Sequence, residues 1–388
     1  MRRSGLVIGA AAVWGRRFVL GEKRGQTHFR GRAYGKKRTD TFSAPSPSKS
    51  LTSCGNGKVV SPLFPRSVPF FLLLAAFPVF GQAPLAATHV QTAGKSWTAP
   101  RTPDGQPDLQ GVWTNTTITP LERPAEFANK PFLTEQEAAA YEKKTVATQT
   151  GDRRDGGPDV DVGRSYNEFW RDRGTKVIGD RRTSLVTEPA DGRVPALTPE
   201  AEKRVADTAA EMRAHATDGP EYRNLWERCL TRGLPMLPGP YNNDFQIIQA
   251  PGYVVILHEM IHDARIIPLD GRPHVPSDVR QWMGDGRGHW EGDTLVVDTT
   301  NFSEKSNFRG ANANLHLIER FTRVGPETIK YEFTIDDPTT FTRPWKAEIP
   351  MTKTDEQIFE YACHEGNYAL ADILRGARAE EAAQKGSK

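Results

Sequence analysis

The sequence predicts a mainly β protein: an antiparallel, hairpin-rich barrel or sandwich, preceded by an N-terminal segment containing two short helices. Three observations predict it. Beyond Asn242, short apolar runs are separated by turn residues at close intervals. Several runs alternate strictly: in Lys330–Ile335, Tyr331, Phe333 and Ile335 take one face while Lys330, Glu332 and Thr334 take the other. The chain's 34 glycines and 29 prolines among 388 residues demand many turns, and its 37% hydrophobic content still allows a core.

Residues 1–58 read as a disordered basic extension. Arg and Lys recur there without an apolar period, and Ser43–Ser50 is rich in Ser and Pro. Residues 59–83 read as a secretory signal peptide: Arg66, then an apolar run from Val68 to Phe80, then Gly81-Gln82-Ala83. That run is shorter than the ~20 residues a membrane helix needs. Cleavage is expected after Gly81 or Ala83, with residues 1–58 an over-extended start. No apolar region precedes Cys54, so lipidation there is excluded.

Residues 84–240 form a Pro-rich segment with an early strand and two helices. Leu109–Ile118 reads as the first strand, with Leu109, Gly111 and Trp113 on one side. Thr134 and Glu137 have capping-box spacing and open the first helix. Thr183–Thr187 is a short strand. Thr198, Pro199 and Glu200 open the second helix, which runs to about His215. Gly233–Pro240 holds three prolines and forces an extended crossing. Residues 241–378 are the antiparallel β domain. Its strands are Phe245–Gln249, Tyr253–Leu257, Ala264–Leu269, His289-Trp290, Thr294–Thr300, Leu315–Arg323, Thr328–Ile335, Trp345–Met351 and Gln357–Cys363. Asp285–His289 reads as too Gly-rich for core. A helical tail follows Leu374, and 379–388 is the terminal tail.

Residues 1–81 hold 14 basic and two acidic residues, leaving 37 basic against 46 acidic in 82–388, a net charge of −9. An acidic folded part excludes a basic nucleic-acid surface on it. His258-Glu259-Met260-Ile261-His262 fits H-E-x-x-H, which binds zinc when helical. The run Tyr253–Leu257 and the Pro251-Gly252 turn favour a strand instead. Strand residues four apart are ~13 Å apart and cannot share a metal. His258 and His262 are therefore only weak metal candidates, and no cofactor is assigned. The remaining His and acidic residues of the β region supply catalytic candidates: His289, Glu291, Asp293, His364 and Glu365. Trp113, Trp290 and His274 are ligand-binding candidates. Gly111-Val112-Trp113 resembles the Gly-x-Trp of the first lipocalin strand, where the Trp closes a barrel against a basic side chain. Here about 120 residues intervene before the main β region, and an ordinary core aromatic is the reading taken. Of three cysteines, cleavage removes Cys54. That leaves Cys229 and Cys363 as an even pair, and a disulfide between them is expected.

Four longer stretches carry a family resemblance: Pro107–Trp113, Arg265–His274, Gly288–Phe302 and Tyr361–Tyr368. In them the chain resembles a family of uncharacterised exported bacterial proteins over residues 100–378. The resemblance implies export and no particular activity, cofactor or catalytic residue. The reading taken is a periplasmic or secreted protein that binds a small or lipid-like molecule in a barrel or cleft. No nucleic-acid partner and no membrane span in the mature chain are expected. The alternatives are an exported hydrolase using the His/Asp/Glu cluster, with or without a metal, and a structural or partner-binding protein of the envelope.

Overall fold

The structure, a computed structural model, describes residues 97–158, 160 and 168–386. The expected extension, signal peptide, cleavage site and Cys54 lie outside the described residues.

Both helices begin where their caps predict. Thr134 accepts a hydrogen bond from the Glu137 amide, and the Glu137 carboxylate accepts one from the Thr134 amide. This reciprocal pair satisfies two donors that a helix start leaves open, and α1 spans Glu135–Gln149. The Thr198 hydroxyl accepts from the Ala201 amide, and α2 spans Pro199–Ala214. No helix among the described residues is long and apolar enough to cross a membrane.

Among the described residues, ten strands form one antiparallel sheet. They are β1 (Gly111–Thr114), β2 (Val186–Glu188), β3 (Asp244–Ala250), β4 (Tyr253–His258), β5 (Ala264–Pro268), β6 (Asp285–Glu291), β7 (Thr294–Thr300), β8 (His316–Gly325), β9 (Thr328–Asp336) and β10 (Trp345–Thr354). Their order is β5-β4-β3-β1-β10-β9-β8-β7-β6, with β2 also on β10. Hairpins make most neighbours sequential. The exceptions are β2, which pairs with β10, and β1, which pairs with β3 on one side and β10 on the other and so joins the two meanders. Strands from both sides of the Gly233–Pro240 crossing thus belong to one sheet.

The sheet curls until its edge strands, β5 and β6, lie beside each other without backbone pairing. It is neither a hydrogen-bonded closed barrel nor a two-sheet sandwich. Its concave face carries the period-two set: Trp113, Phe245, Ile247, Ile256, Leu317, Phe321, Tyr331, Phe333, Ile349 and Met351 are all buried there. Trp113 is fully buried and donates to the Leu109 carbonyl at 2.9 Å. The Arg323 guanidinium lies 5.5 Å from its ring, so a basic side chain does meet this tryptophan.

Three local expectations are corrected. Gln357–Cys363 is not a strand: the chain is irregular there and then forms α3 (Cys363–Gly366). β10 is already flanked by β9 on one edge and by β1 and β2 on the other, so no edge remains for a following hairpin. The tail helix, α4, spans Tyr368–Gly386 and starts before Leu374. Asp285–His289 belongs to β6 despite its glycines. Gly288 is buried because β5 crowds it: a Cβ at this position would stand 2.6 Å from Leu269 Cδ2 and 2.8 Å from Ile267 Cγ2.

Candidate functional site

One mouth of the curled sheet opens into a cavity of about 840 Å³. Its floor contains Phe245 on β3, His258 on β4 and Met236 from the proline-rich crossing. Its walls come from α2, from residues 221–243, and from the β7–β8 connection with Phe302, Phe308 and Leu315. Trp226 and Trp282 line it from opposite segments of the chain.

The crossing is fixed from both sides. The Met236 amide donates to the Tyr331 hydroxyl at 3.3 Å, and Asn115 Nδ2 donates to the Met236 carbonyl at 3.1 Å. Tyr331 donates to Glu319 Oε1 at 2.8 Å, and Arg265 Nη1 donates to the same oxygen at 3.0 Å. Arg265 Nη2 pairs with Glu319 Oε2 as well. This ion pair is buried on the concave face, where its bidentate geometry and the tyrosine offset the desolvation of both charges. Burial and the neighbouring Glu319 charge push the Tyr331 hydroxyl well above the usual phenol range.

His258 lies beside this network without joining it. Its side chain is buried, and its Nε2 has no hydrogen-bond partner among the described residues. Its ring packs edge-on to Phe245 at 4.9 Å. Burial, and then the Arg265 charge, push its pKa down to about 3. The imidazole is therefore neutral near pH 7 and offers one N–H donor and one lone pair. An unmet polar atom of this kind costs about 1–3 kcal/mol unless a ligand or water meets it.

The H-E-x-x-H segment does not form a metal-binding helix. β4 ends at His258, and the chain turns through Ile261 at φ 61° and His262 at φ 46°. His258 is buried and His262 is exposed. The buried Glu259 carboxylate accepts from the Phe359 amide at 3.0 Å. Among the described residues, no three His, Cys, Asp or Glu side chains are arranged to hold a metal ion.

The catalytic candidates are distributed over the surface. His289 and Glu291 pair at 3.1 Å on exposed β6 positions. Arg320, and then His289, hold the Glu291 carboxyl below its usual range. Asp293 pairs with Arg101. His364 and Glu365 are exposed on α3, and no hydrogen bond or ion pair among the described residues joins them to the β6 pair. Of the ligand-binding candidates, Trp113 is core and Trp290 packs against that core, its indole nitrogen buried and unpartnered. His274 is half-buried between two carboxylates, Asp285 and Asp298.

Cys229 and Cys363 form the expected disulfide, with Cα atoms 5.7 Å apart. It ties the cavity-lining 221–243 segment to α3. Asn367 Nδ2 reinforces the tie by donating to the Glu227 carbonyl at 2.7 Å. Within the same segment, Arg232 stacks over Trp226 at 5.0 Å. Its amide and the Thr231 hydroxyl both donate to Asp263. Burial nevertheless pushes the Asp263 carboxyl up.

Sequence reading missed Trp226, Met236, Trp282, Phe302 and Asp298. The first four stand in connections between strands, where no periodicity marks an inward side chain. Asp298 had a signal: in Leu295–Thr300 it alternates outward from Val297 and Thr299. No protein-family profile matches the chain, and no curated protein matches it.

Proposed function

We propose that the protein binds a small, largely apolar molecule in the cavity between the curled sheet and α2, with one polar group of that molecule meeting His258. The 840 Å³ hollow, lined by Trp226, Trp282, Phe302 and Phe308 with His258 among them, carries this reading. The volume lies within the range of about 300–1,000 Å³ typical of small-molecule sites. Aromatic walls favour an apolar body, and a neutral imidazole favours a hydroxyl, carbonyl or carboxyl on it.

Native mass spectrometry of the purified protein should reveal a co-purified molecule. Quenching of tryptophan fluorescence should report binding of lauric acid or 1-anilinonaphthalene-8-sulfonate (ANS). Ala209 lines the cavity from the half-buried side of α2. Ala209→Trp should intrude into the hollow and weaken binding markedly without lowering the melting temperature. His258→Leu should weaken binding of the acid by roughly tenfold, the value of about one hydrogen bond. Unchanged affinity in a folded Ala209→Trp protein would refute this location.

We also propose that the protein works in the periplasm or outside the cell. The disulfide supports an oxidising compartment. N-terminal sequencing of protein from that compartment should begin at Gln82 or Pro84. Recovery of uncleaved chain from the cytoplasm would rule export out.

A further inference from the structure

Two loops build one wall of the cavity. The β5–β6 connection (269–284) supplies Trp282, and the β7–β8 connection (301–315) supplies Phe302, Phe308 and Leu315. The loops are stitched to each other. Asn301 Nδ2 donates to the Val275 carbonyl at 2.8 Å, and Ser306 Oγ donates to the Trp282 carbonyl at 2.8 Å. Arg280 Nη1 donates to the carbonyls of Phe302 at 3.0 Å and Ala313 at 2.8 Å. Behind this wall lies a second hollow of about 510 Å³, and Trp282 and Thr231 line both. Displacing the wall would join the two spaces.

Each loop has a histidine at its base, and both histidines meet the same carboxylate. His274 is in the first loop: its Nδ1 is 2.9 Å from Asp285 Oδ2 and its Nε2 is 3.2 Å from Asp298 Oδ1. His316 follows the second loop: its Nε2 is 3.0 Å from both oxygens of Asp298. Both ring nitrogens of His274 therefore face carboxylates, which only accept hydrogen bonds when ionised. Only an imidazolium has two N–H donors to give. A neutral His274 would turn a lone pair toward one of the two aspartates. The other charges facing this group are Arg287 on β6, 3.0 Å from Asp285, and Asp336 on β9, opposite His316 in the ladder.

We propose that His274 and His316, gathered on Asp298, form a latch at the base of this two-loop wall, and that a molecule held in the cavity leaves faster once His316 loses its proton. The latch rests on the cavity reading above. Its working range follows from the ion pairs. His316, hydrogen-bonded to Asp298, has its pKa raised, so its contribution is full at acid pH and fades as pH rises through that raised value. Asp298, bonded to His316, has its pKa lowered, so its contribution fails only as pH falls below the normal aspartate range. The latch is therefore strongest at mildly acid pH, above the aspartate range, and weakens as pH rises through the raised value of His316. The wall's far end is held by separate contacts: Arg309 pairs with Glu122, and Arg204 donates to the Gly310 carbonyl. The effect is graded rather than all-or-none.

The test uses ANS, whose sulfonate keeps its charge across the range. Stopped-flow dissociation should be roughly tenfold faster at pH 8.5 than at pH 5.5, as one charge-assisted hydrogen bond implies. The His274→Gln, His316→Gln double variant should release ANS at a pH-independent rate close to the wild-type rate at pH 8.5. Hydrogen exchange of ligand-free protein, corrected for intrinsic rates, supplies a readout that needs no ligand. Amides 277–283 and 302–312 should be better protected at pH 5.5 in the wild type, and equally protected at both pH values in the double variant. A double variant that keeps the wild-type pH dependence overturns the latch, as does protection that is flat with pH in the wild type. Failure of ANS to bind at either pH counts against the cavity reading, and the exchange pattern then decides the latch alone.

Discussion

Asp244 opens β3 and is buried, with Glu259, Glu356 and Asp172 around it. Burial, and then those acidic neighbours, push its pKa up to about 6 despite a hydrogen bond from Thr114. A carboxyl whose pKa is raised on folding favours the folded state below its unfolded value near 4, and this favour is lost as pH rises through 6. Asp244→Asn should therefore stabilise the protein at pH 7.5 by on the order of 1–3 kcal/mol and have little effect at pH 4. Thermal melts at the two pH values check this, and equal shifts at both would refute it. Asp244 was invisible in the sequence because its pKa depends on acids brought together by three separate segments. The behaviour of His258 was half legible. The strand preference of Tyr253–Leu257 argued against the helix a metal pair needs, but nothing local announced that the imidazole would be left without a partner.

The edge strand β6 brings local composition and packing into direct conflict. Val has a higher strand propensity than Gly, so propensity alone would make Gly288→Val stabilising. Packing says the opposite, because the first added carbon would overlap Leu269 and Ile267 across the seam. Gly288→Val should cost about 1–3 kcal/mol, measured as a lower urea midpoint with an unchanged slope. A stabilised variant would mean that β5 does not press on β6. Elements with strong local signals were read well. The capping residues Thr134 and Thr198 fixed both helix starts, and Tyr331, Phe333 and Ile335 placed their strand on the correct face. β6 was read too short, since glycine carries no alternation. Gln357–Cys363 looked like a strand from its own composition, and only the full strand order shows that its neighbour was already paired.

At the scale of the whole molecule, the disulfide spans 134 residues of sequence. Closing so long a loop restricts the unfolded chain by roughly 4–5 kcal/mol in the chain-entropy account. The Cys229→Ser, Cys363→Ser double variant should melt at a markedly lower temperature. Thiol assays on the denatured, unreduced mature protein should find no reactive thiol, and two per chain would rule the bridge out. Cysteine parity made this bond legible without any knowledge of the fold. The cavity was not legible, because its walls are connections whose side chains obey no period.

The seam between β5 and β6 gives the architecture a mechanical character that a fully paired cylinder lacks. The sheet is a split ring. Every other boundary between neighbouring strands is riveted by backbone hydrogen bonds, whereas this one is held by side chains alone. Leu269 and Ile267 lie against Gly288 there, so the contact across the split is one of side chains on bare backbone. The 269–284 connection spans the split like a clasp across the gap of a bracelet, and it also carries Trp282 into the cavity wall. Force on that connection would therefore fall first on the one boundary among the described strands that no backbone hydrogen bond closes.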